Sequence, residues 1–529
     1  MQMGKKFYGQ IYERVWQNQE WIIVVALSLL VLLLRLPSLE QPFDNDSGAN
    51  AYHARLIVRG EPLYGAHHPA HQLPAVYYTY ALAFLLFGDS VWSVKFLLIL
   101  WTIAAVYLLY RLGALLMDRA MGLLAAILCA VLTSHVWMWG PSAQNELFAN
   151  LPRVAAILIL MQLTVRQAAA WKFVFVGLLS AIGFLFRANY LSPLAVAGLV
   201  LLVELWQTRA ITNAWRATLM RGLWLGVGFV AGLLPVVAYF GILGLLPRLL
   251  LVFTLGLRYI NRGAALVRSQ DRLLFPLFGL AINNGALLTF SLAGLLLVVV
   301  DELKKYHSER YEGPSTLFYV AVWYILSFVE ASIARIPFVH YYLLIVPPLA
   351  LLAAWLLLRI YHDVQNQVRS ANRFVAALIL IVLLAIIFSI SIRQNFNYYY
   401  HYVRYKLGLE THQDFLLGGW PVAGLELVRV QELADYVKRH TTPTDHIYDW
   451  SIYLQIYYLA DRRCPIDMIW PRYAEATGPY QRIFAPQTKY IIVDDSNNSS
   501  APDWLYTELA KKYTLETVIQ GQKVYRRVD

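Results

Sequence analysis

The chain has 529 residues, of which 59% are hydrophobic and 15% charged, and its formal net charge is +11. A soluble protein of this length could not bury so much apolar surface, so the composition excludes an ordinary soluble enzyme and predicts a polytopic membrane protein. The positive charge does not require nucleic acid as a partner, because basic cytoplasmic loops and contact with anionic lipid in the bilayer account for it.

Eleven hydrophobic runs are long enough to cross about 30 Å of hydrocarbon, which takes roughly 17–25 helical residues. They lie near 19–36, 91–115, 119–139, 146–166, 171–187, 190–206, 221–243, 275–300, 316–334, 338–360 and 373–393. The predicted fold class is therefore an α-helical membrane protein, with residues 1–393 forming the membrane domain.

A further run, 74–88, is of marginal length, and the charges of the later loops decide its orientation. If this run crossed the membrane with the N-terminus inside, the basic loops near Arg119 and Arg221 would face outward, against the positive-inside rule. If it lies along the outer surface as an amphipathic helix, every short basic loop is cytoplasmic. We therefore predict a cytoplasmic N-terminus, an extracytoplasmic first loop at 37–90 and an extracytoplasmic C-terminus.

The composition changes after residue 393, where charged residues become more frequent. The segment 428–440 has the apolar spacing of an amphipathic helix. The segments 446–450, 489–495 and 523–528 are rich in β-branched and aromatic residues, which is typical of strands. Residues 394–529 are therefore predicted to form a small α/β domain outside the membrane.

The first outer loop carries two aspartates. Asp46 can begin a helix over 46–58, which would place Asn50 and His53 on the same face as Asp46. An aspartate that caps the N-terminus of such a helix explains the residue equally well. Asp44 and Asp46 also form a D-x-D pair that could share a divalent cation such as Mg²⁺ or Mn²⁺.

Other polar residues of the outer loops allow two interpretations each. His67, His68 and His71 are candidates to bind a transition metal, but a histidine cluster at an interface is more often simply solvated. Glu146 and Arg153 lie seven residues apart on one helix face at the outer end of the fourth span. Ionisable groups at membrane depth face a cavity or a partner, so these two either line a site or form a structural ion pair.

Arginines accumulate in the predicted outer segment 244–274, although outer loops usually carry few basic residues. An anionic ligand such as a lipid phosphate explains this excess, because guanidinium groups match the geometry of phosphate. The arginines are Arg248, Arg258, Arg262, Arg268 and Arg272, against the single acid Asp271.

Five motifs follow one another in a recognisable order. A D-S-G-x4-H-A-R-L-I-V-R-G-E-P-L-Y sequence begins at Asp46, and HQLPAVYYTYALAFLLFGDSVWSVK follows at 71–95. SAQNELFANLP at 142–152, GFLFRANYLSP at 183–193 and RIPFVHYYLLIVPPLALL at 335–352 come later. In this order the chain resembles the GT-C superfamily of integral membrane glycosyltransferases, in the branch related to protein O-mannosyltransferases and the bacterial lipid A aminoarabinose transferase.

The resemblance implies an enzyme of the bacterial inner membrane that transfers one sugar from a polyprenyl-monophosphate donor to an acceptor hydroxyl outside the membrane, usually with inversion. The acceptor class, whether lipid, glycan or protein, stays open. Asp46, with Asp44 beside it, matches the acidic residue that acts as general base or organises a metal. Glu146 matches the second acidic position, and Arg187 matches the basic residue that meets the donor phosphate, although an arginine at a helix boundary also snorkels for purely structural reasons.

The resemblance also implies the remaining site residues. Arg335 joins Arg187 on the donor phosphate, with Arg258 and Arg262 as further candidates for the same role. His340 and Tyr341 match positions late in the membrane domain and would line a groove for donor and acceptor. Apart from the resemblance, the surface helix 74–88 with Tyr77 and Tyr78 can help to form this groove together with His53 and His71, or its tyrosines serve only as an aromatic anchor at the membrane interface. Relatives commonly carry Lys-Pro-Pro where this chain has Gln72-Leu73-Pro74, so a cation of the first loop is missing.

Two other functions compete with transfer. A transporter or flippase of sugar lipids would need polar or broken helices near the bilayer midplane, whereas the charges of these spans gather at their outer ends. A catalytically inactive homologue that only binds the donor is the other alternative, and the missing lysine of the first loop favours it.

Overall fold

The structure, a computed structural model, describes most of the chain. The described residues are 20–65, 70–165, 169–209, 214–266, 271–308, 313–333, 338–367, 372–421, 423–451, 453–466, 470, 480–494 and 501–528. Helices dominate the first four hundred residues, and a four-stranded sheet with helices follows. The predicted fold class, a helical membrane domain followed by a small α/β domain, is confirmed.

The described residues of the N-terminal part contain fourteen α-helices. They are α1 (Glu20–Glu40, ending in a 3-10 turn), α2 (Asn45–Val58), α3 (Ala75–Phe87), α4 (Val91–Leu116), α5 (Arg119–Thr133), α6 (Asn145–Val165), α7 (Phe173–Phe186), α8 (Ser192–Gln207), α9 (Ala214–Ile242), α10 (Leu246–Leu266), α11 (Asp271–Tyr306), α12 (Thr316–Ser332), α13 (Val346–Gln367) and α14 (Asn372–Lys406). A helix lies at each of the eleven predicted spans. Six of the described helices are long and apolar enough to cross a membrane by length and composition, and the direction of crossing stays a prediction.

Helix α2 begins one residue earlier than predicted, and a different aspartate caps it. Asp44 is the N-cap, because its side chain accepts a hydrogen bond from the backbone N–H of Ser47. Asp46 lies in the first turn of the helix instead. At the other end, Gly60 has φ +88°, a left-handed conformation that ends the helix with little strain because glycine has no Cβ.

Helix α3 corresponds to the predicted surface helix at 74–88. Its 13 residues span only about 20 Å at 1.5 Å per residue, too little to cross the hydrocarbon core. Tyr77 and Tyr80 are buried against the neighbouring helices, while Leu85 and Leu86 are exposed. Exposed leucines opposite a packed face are what a helix lying at a membrane surface requires.

A buried ion pair joins four elements of the membrane domain. The guanidinium of Arg153, on α6, is fully buried and donates to Glu330 of α12 at 2.6 Å. The same guanidinium donates to Ser192 of α8 at 2.9 Å and to the backbone carbonyl of Leu344 at 3.0 Å. Leu344 ends a 3-10 segment, Val339–Leu344, that leads into α13.

The C-terminal part contains the sheet, with strand order β1-β2-β4-β3. Its elements are α15 (His412–Gly419), α16 (Gly424–His440), β1 (His446–Trp450), α17 (Ile456–Ala460), β2 (Thr488–Val493), α18 (Asp503–Lys512), β3 (Tyr513–Ile519) and β4 (Gln522–Arg527). Strands β1 and β2 are parallel, whereas β4 pairs antiparallel with both β2 and β3.

The predicted helix at 428–440 and the three predicted strands are confirmed as α16, β1, β2 and β4, whereas α15, α17, α18 and β3 were not predicted. Helix α14 continues to Lys406, so residue 393 lies inside a helix. The division into two domains stays a prediction.

The C-terminal part docks on α2 through a row of charges. Arg55 donates to Asp89 at 2.6 Å and to the backbone carbonyl of Tyr458 at 2.7 Å. Arg59 donates to both carboxylate oxygens of Asp461, at 2.9 and 3.0 Å. The basic residues of the first-loop motif therefore serve the contact between the two parts of the chain.

The polar contacts extend to both ends of this interface. At the start of α2, the side chain of Asn45 accepts a hydrogen bond from the backbone N–H of Leu454 at 2.8 Å. Beyond its end, Arg463 donates to Glu61 at 2.5 Å. Helix α2 is thus held along its whole length by the segment that surrounds α17.

We expect the variant Glu330→Ala to lower stability strongly, because it leaves the buried guanidinium of Arg153 without its counter-charge. Removing one partner of a buried ion pair costs about 3–5 kcal/mol. The drop should appear as a lower melting temperature of the protein in detergent.

The matched control is Glu508→Gln, which breaks the exposed pair with Lys511. Exposed pairs contribute about 0–1 kcal/mol, so this variant should melt like the wild type. Equal melting temperatures for the two variants would contradict the structural role of the Arg153–Glu330 pair.

Candidate active site

The carboxylate of Asp44 stabilises the start of α2 through hydrogen bonds. It accepts from the backbone N–H of Ser47 at 3.2 Å and from the Ser47 hydroxyl at 2.8 Å. It also accepts from the Ser142 hydroxyl and, at 3.4 Å, from the side-chain amide of Gln144. Because the last two residues precede α6, the Asp44 carboxylate ties the start of α2 to the loop before α6.

Asp46 is the open carboxylate of the pair. Protein surrounds it, yet its side chain keeps 36% of its surface accessible, so it faces a cavity. Its Oδ2 lies 4.0 Å from Nε2 of His340. Burial, followed by the charges of Asp44 and Glu146, raises the pKa of Asp46 to about 7, and the charge of Arg187 opposes the rise.

Glu146 and Arg187 meet in the same region. Glu146 is 1% exposed, and its Oε1 accepts from the hydroxyl of Tyr190 at 2.7 Å and from Arg187 at 3.4 Å. Its Oε2 accepts no hydrogen bond from any residue that the structure describes. The alternative of an ion pair between Glu146 and Arg153 is wrong, since Arg153 pairs with Glu330.

Arg187 follows the end of α7 and keeps part of its guanidinium free. The group lies over the ring of Tyr341, 4.4 Å from its centre. Its side chain is 29% exposed, so donors remain for a ligand in addition to the contact with Glu146. We call Asp46, Glu146, Arg187, His340 and Tyr341 the Asp46 pocket.

Aromatic rings line one side of the Asp46 pocket. The ring of His340 lies 4.6 Å from that of Tyr341 and is stacked on Phe338 at 5.5 Å. Trp139, in the loop before α6, lies 6.0 Å from the His340 ring at its edge. Flat rings next to a carboxylate and a guanidinium suit a ligand with both hydroxyl groups and apolar C–H faces.

The other four predicted groove residues contact aromatic rings, and two of them, His71 and Tyr77, also lie within electrostatic range of Arg187 and Asp46, respectively. His53 and Tyr77 are fully buried and pack edge to face, with ring centres 4.9 Å apart. The structure therefore places both in the core beneath α2. Tyr78 faces Tyr239 of α9, and the His71 ring contacts Trp470 at 5.7 Å.

Gln72, which stands where relatives carry lysine, is part of a polar network beside Glu146. Its side-chain oxygen accepts from Asn145 at 2.5 Å. Its backbone carbonyl accepts from the Tyr64 hydroxyl at 2.6 Å. The position is thus adjacent to the pocket but carries no charge, and Arg187 is the described cation that contacts Glu146.

The arginines of segment 244–274 that were predicted to bind a lipid phosphate differ in their structural surroundings. Arg248 donates to the backbone carbonyls of Tyr64 and Gly65, at 3.1 and 2.8 Å, which ties α10 to the first loop. Arg258 is exposed on α10. The predictions that concern His67, His68, Arg335 and the side chains of Arg262, Arg268 and Arg272 lie outside the described residues.

A metal site stays a prediction. Within the described ranges, no three His, Cys, Asp or Glu side chains are grouped so that they could hold a metal ion. The oxygens of Asp44 already accept several hydrogen bonds, whereas Asp46 is accessible. Of the predicted D-x-D pair, only Asp46 is therefore free to contribute an oxygen to a cation.

Sequence reasoning missed three residues near the site. Glu330 is a lone acid within an apolar span, a signal that points to a buried partner. Trp139 and Glu426 gave no signal of their own, because Trp139 depends on an unusual backbone conformation and Glu426 lies in the C-terminal part. Both reach the site only through long-range packing.

Sequence comparison matches part of the chain to a family. The family model described as dolichyl-phosphate-mannose-protein mannosyltransferase matches residues 67–212. No protein of curated function has a significantly similar sequence.

Two solved structures share the fold over most of the chain. ArnT from Cupriavidus metallidurans, bound to undecaprenyl phosphate, has a TM-score of 0.57 at 14% identity and covers 96% of this chain and 98% of its own. The archaeal oligosaccharyltransferase AglB from Archaeoglobus fulgidus, in complex with an inhibitory peptide and a dolichol-phosphate, has a TM-score of 0.51 at 14% identity. It covers 90% of this chain and 69% of its own. The resemblance to the GT-C superfamily is confirmed, and this chain is a multi-pass membrane protein with the GT-C fold.

Proposed function

We propose that the protein transfers one sugar from a polyprenyl-monophosphate donor to an acceptor hydroxyl, with Asp46 as the catalytic base. The observation that carries the proposal is the convergence of an accessible carboxylate, Asp46, and a partly free guanidinium, Arg187, on one pocket. The undecaprenyl phosphate bound by ArnT and the dolichol-phosphate bound by AglB support a lipid-phosphate donor.

The reaction needs one base and one anion-binding group. A hydroxyl is a poor nucleophile, and a carboxylate within hydrogen-bond reach takes its proton while the new bond forms. The acceptor oxygen bonds to the anomeric carbon, the bond from that carbon to the phosphate oxygen breaks, and the proton moves to Asp46. A single displacement of this kind inverts the anomeric carbon.

Charge on the departing lipid phosphate grows as the glycosidic bond breaks. A cation positioned beforehand stabilises that charge most in a site of low dielectric. Arg187 is held in place by the Glu146 carboxylate and the Tyr341 ring, with donors to spare. A divalent cation such as Mg²⁺ or Mn²⁺, held by Asp46 and by the buried oxygen of Glu146 that accepts no hydrogen bond from a described residue, would add Lewis-acid stabilisation of the phosphate.

The lipid tail of the donor has to stay in the bilayer, so the reaction belongs at a membrane surface. With the basic loops in the cytoplasm, that surface is the outer face of a bacterial inner membrane. Binding of the donor without transfer is the second candidate function, because Gln72 replaces the lysine that relatives commonly carry at this position.

Purified protein given donors labelled in the sugar should release free polyprenyl phosphate together with a labelled acceptor. Asp46→Asn should lower the rate by 10²-fold or more, since general-base catalysis contributes about that much. Binding of undecaprenyl phosphate, measured by native mass spectrometry, should survive the substitution.

Wild-type turnover by Asp46→Asn would refute the role of Asp46 as base. Undecaprenyl phosphate binding without turnover of any donor would favour a donor-binding protein. Lipid-linked sugar that crosses proteoliposomes without covalent change would favour a flippase.

The rate should fall as the pH drops through about 7, because Asp46 must be ionised to accept a proton and its pKa is raised to about 7. The ionisable groups that interact with it include Asp44, Glu146, Arg187, His340 and Glu426. Glu146→Gln removes a negative neighbour, so it should shift the acidic limb of the pH–rate profile to lower pH. An unchanged limb in this variant would contradict the electrostatic coupling of the two carboxylates.

Arg187→Gln should weaken the binding of undecaprenyl phosphate by about tenfold or more, because a hydrogen bond to a charged group contributes about 1.5–3 kcal/mol. The matched control is Arg439→Gln, an exposed arginine at the end of α16 whose side chain donates to the backbone carbonyl of Asp435. Native mass spectrometry of both variants checks the prediction, and equal affinities would remove Arg187 from the phosphate site.

A further inference from the structure

Aromatic rings connect Asp46 to the C-terminal part of the chain. His340 lies beside Asp46, and Trp139 lies at the edge of the His340 ring. The ring of Trp420 packs edge to face on Trp139 at 5.5 Å, and its indole N–H donates to the backbone carbonyl of Val136 at 3.3 Å. Trp420 precedes α16, so this path ends at the first turn of that helix.

A second path returns from α16 to α2. Glu426, in the first turn of α16, accepts a hydrogen bond from the side-chain amide of Gln455 at 3.1 Å. Gln455 packs so closely on Gly48 that a Cβ at this glycine would collide with the Gln455 side chain. Since Gly48 is two residues from Asp46 on α2, the second path reaches the first turn of the helix that carries the Asp46 carboxylate.

Glu426 therefore belongs to the surroundings of Asp46, although it comes from another part of the chain. Burial, followed by the charges of Asp44 and Asp46 and opposed by the hydrogen bond from Gln455, raises the pKa of Glu426 to about 7. No described arginine or lysine pairs with it within 4.0 Å. Like charges held together in this way are stabilised by a ligand that donates hydrogen bonds to them.

Trp139 adds an aromatic face to this region. Its φ is +60°, a left-handed conformation that costs a residue with a Cβ about 1–2 kcal/mol. Strain of this kind persists where the surrounding contacts enforce it, and it is common at functional sites. The Trp139 ring is only partly buried, so part of it can contact a ligand.

We propose that Glu426 and Trp139 form the acceptor subsite and that the acceptor group they hold is a sugar. This inference rests on the proposed transferase function. Glu426 accepts hydrogen bonds from sugar hydroxyls while the Trp139 ring covers the C–H face of the sugar, which pairs the positive edge of the C–H bonds with the negative face of the ring.

In this arrangement Glu426 is a positioning residue. The reacting hydroxyl lies at Asp46, which takes its proton as the oxygen bonds to the anomeric carbon of the donor, and the phosphate leaves toward Arg187. Arg187 contacts Tyr341 and Glu146, whereas Glu426 contacts Gln455. Donor and acceptor would thus approach Asp46 past different residues.

The test uses the full chain in detergent, donors labelled in the sugar, and a glycolipid extract or serine- and threonine-containing peptides as acceptors. Glu426→Gln should raise the amount of glycolipid extract that gives half the maximal rate by about 10- to 100-fold, as expected when a charged hydrogen-bond acceptor is lost. The maximal rate should fall less than threefold, and undecaprenyl phosphate binding should stay within twofold of the wild type.

The matched control is Glu432→Gln, on the same helix, whose carboxylate bonds the side chain of Gln520 at the surface. Equal acceptor dependence of the two variants, or transfer to the peptides alone, would overturn the proposal. If the wild type binds undecaprenyl phosphate but turns over no donor, the transferase function fails instead. Retention of labelled glycolipid then decides the subsite: loss in Glu426→Gln supports it, and equal retention refutes it.

Discussion

The position of α2 is the constraint on which the site depends. Among the described residues, no side chain or backbone group hydrogen-bonds the Asp46 carboxylate, so only the helix holds this residue in place. Asp44 fixes the start of the helix to the loop before α6 through hydroxyl and amide donors. Further along the helix, Arg55 forms an ion pair with Asp89, and Arg59 forms one with Asp461. The loop before α6 and the C-terminal part, both remote in sequence, thus hold α2 in place. Because its neighbours make these contacts, Asp46 can remain accessible.

The clamp also explains how like charges persist close together. Asp46 and Glu146 raise each other's cost of ionisation, since burial and repulsion both disfavour the charged form. At Glu146 the charge of Arg187 and the hydrogen bond from Tyr190 offset this cost. A site that is electrostatically unfavourable without ligand requires rigid support from elsewhere, and the ion pairs and hydrogen bonds along α2 provide it without entering the pocket.

The sequence predicted the helices well because apolar runs have a single dominant signal, and every predicted span contains a helix. The sequence prediction failed where two nearby residues could fill the same structural role. Either aspartate could cap α2, and the choice fell to Asp44 because Ser142 and Gln144, nearly a hundred residues away, also donate to it. Glu146 and Arg153 share a helix face, yet Glu330 from α12 takes Arg153. Such choices depend on tertiary contacts that periodicity does not encode.

The first-loop motif and the C-terminal segment around α17 are best understood as one unit. The resemblance rests on the basic and acidic residues after Asp46, and the structure uses Arg55, Arg59 and Glu61 to bind Asp461 and Arg463. Those charged residues therefore position α2, whereas Asp46 is the residue that α2 places in the Asp46 pocket. Arg55, Arg59 and Glu61 would be needed to position the helix whatever reaction took place beside it. Of the charged residues in this motif, only Asp46, which forms none of these ion pairs, therefore indicates the chemistry.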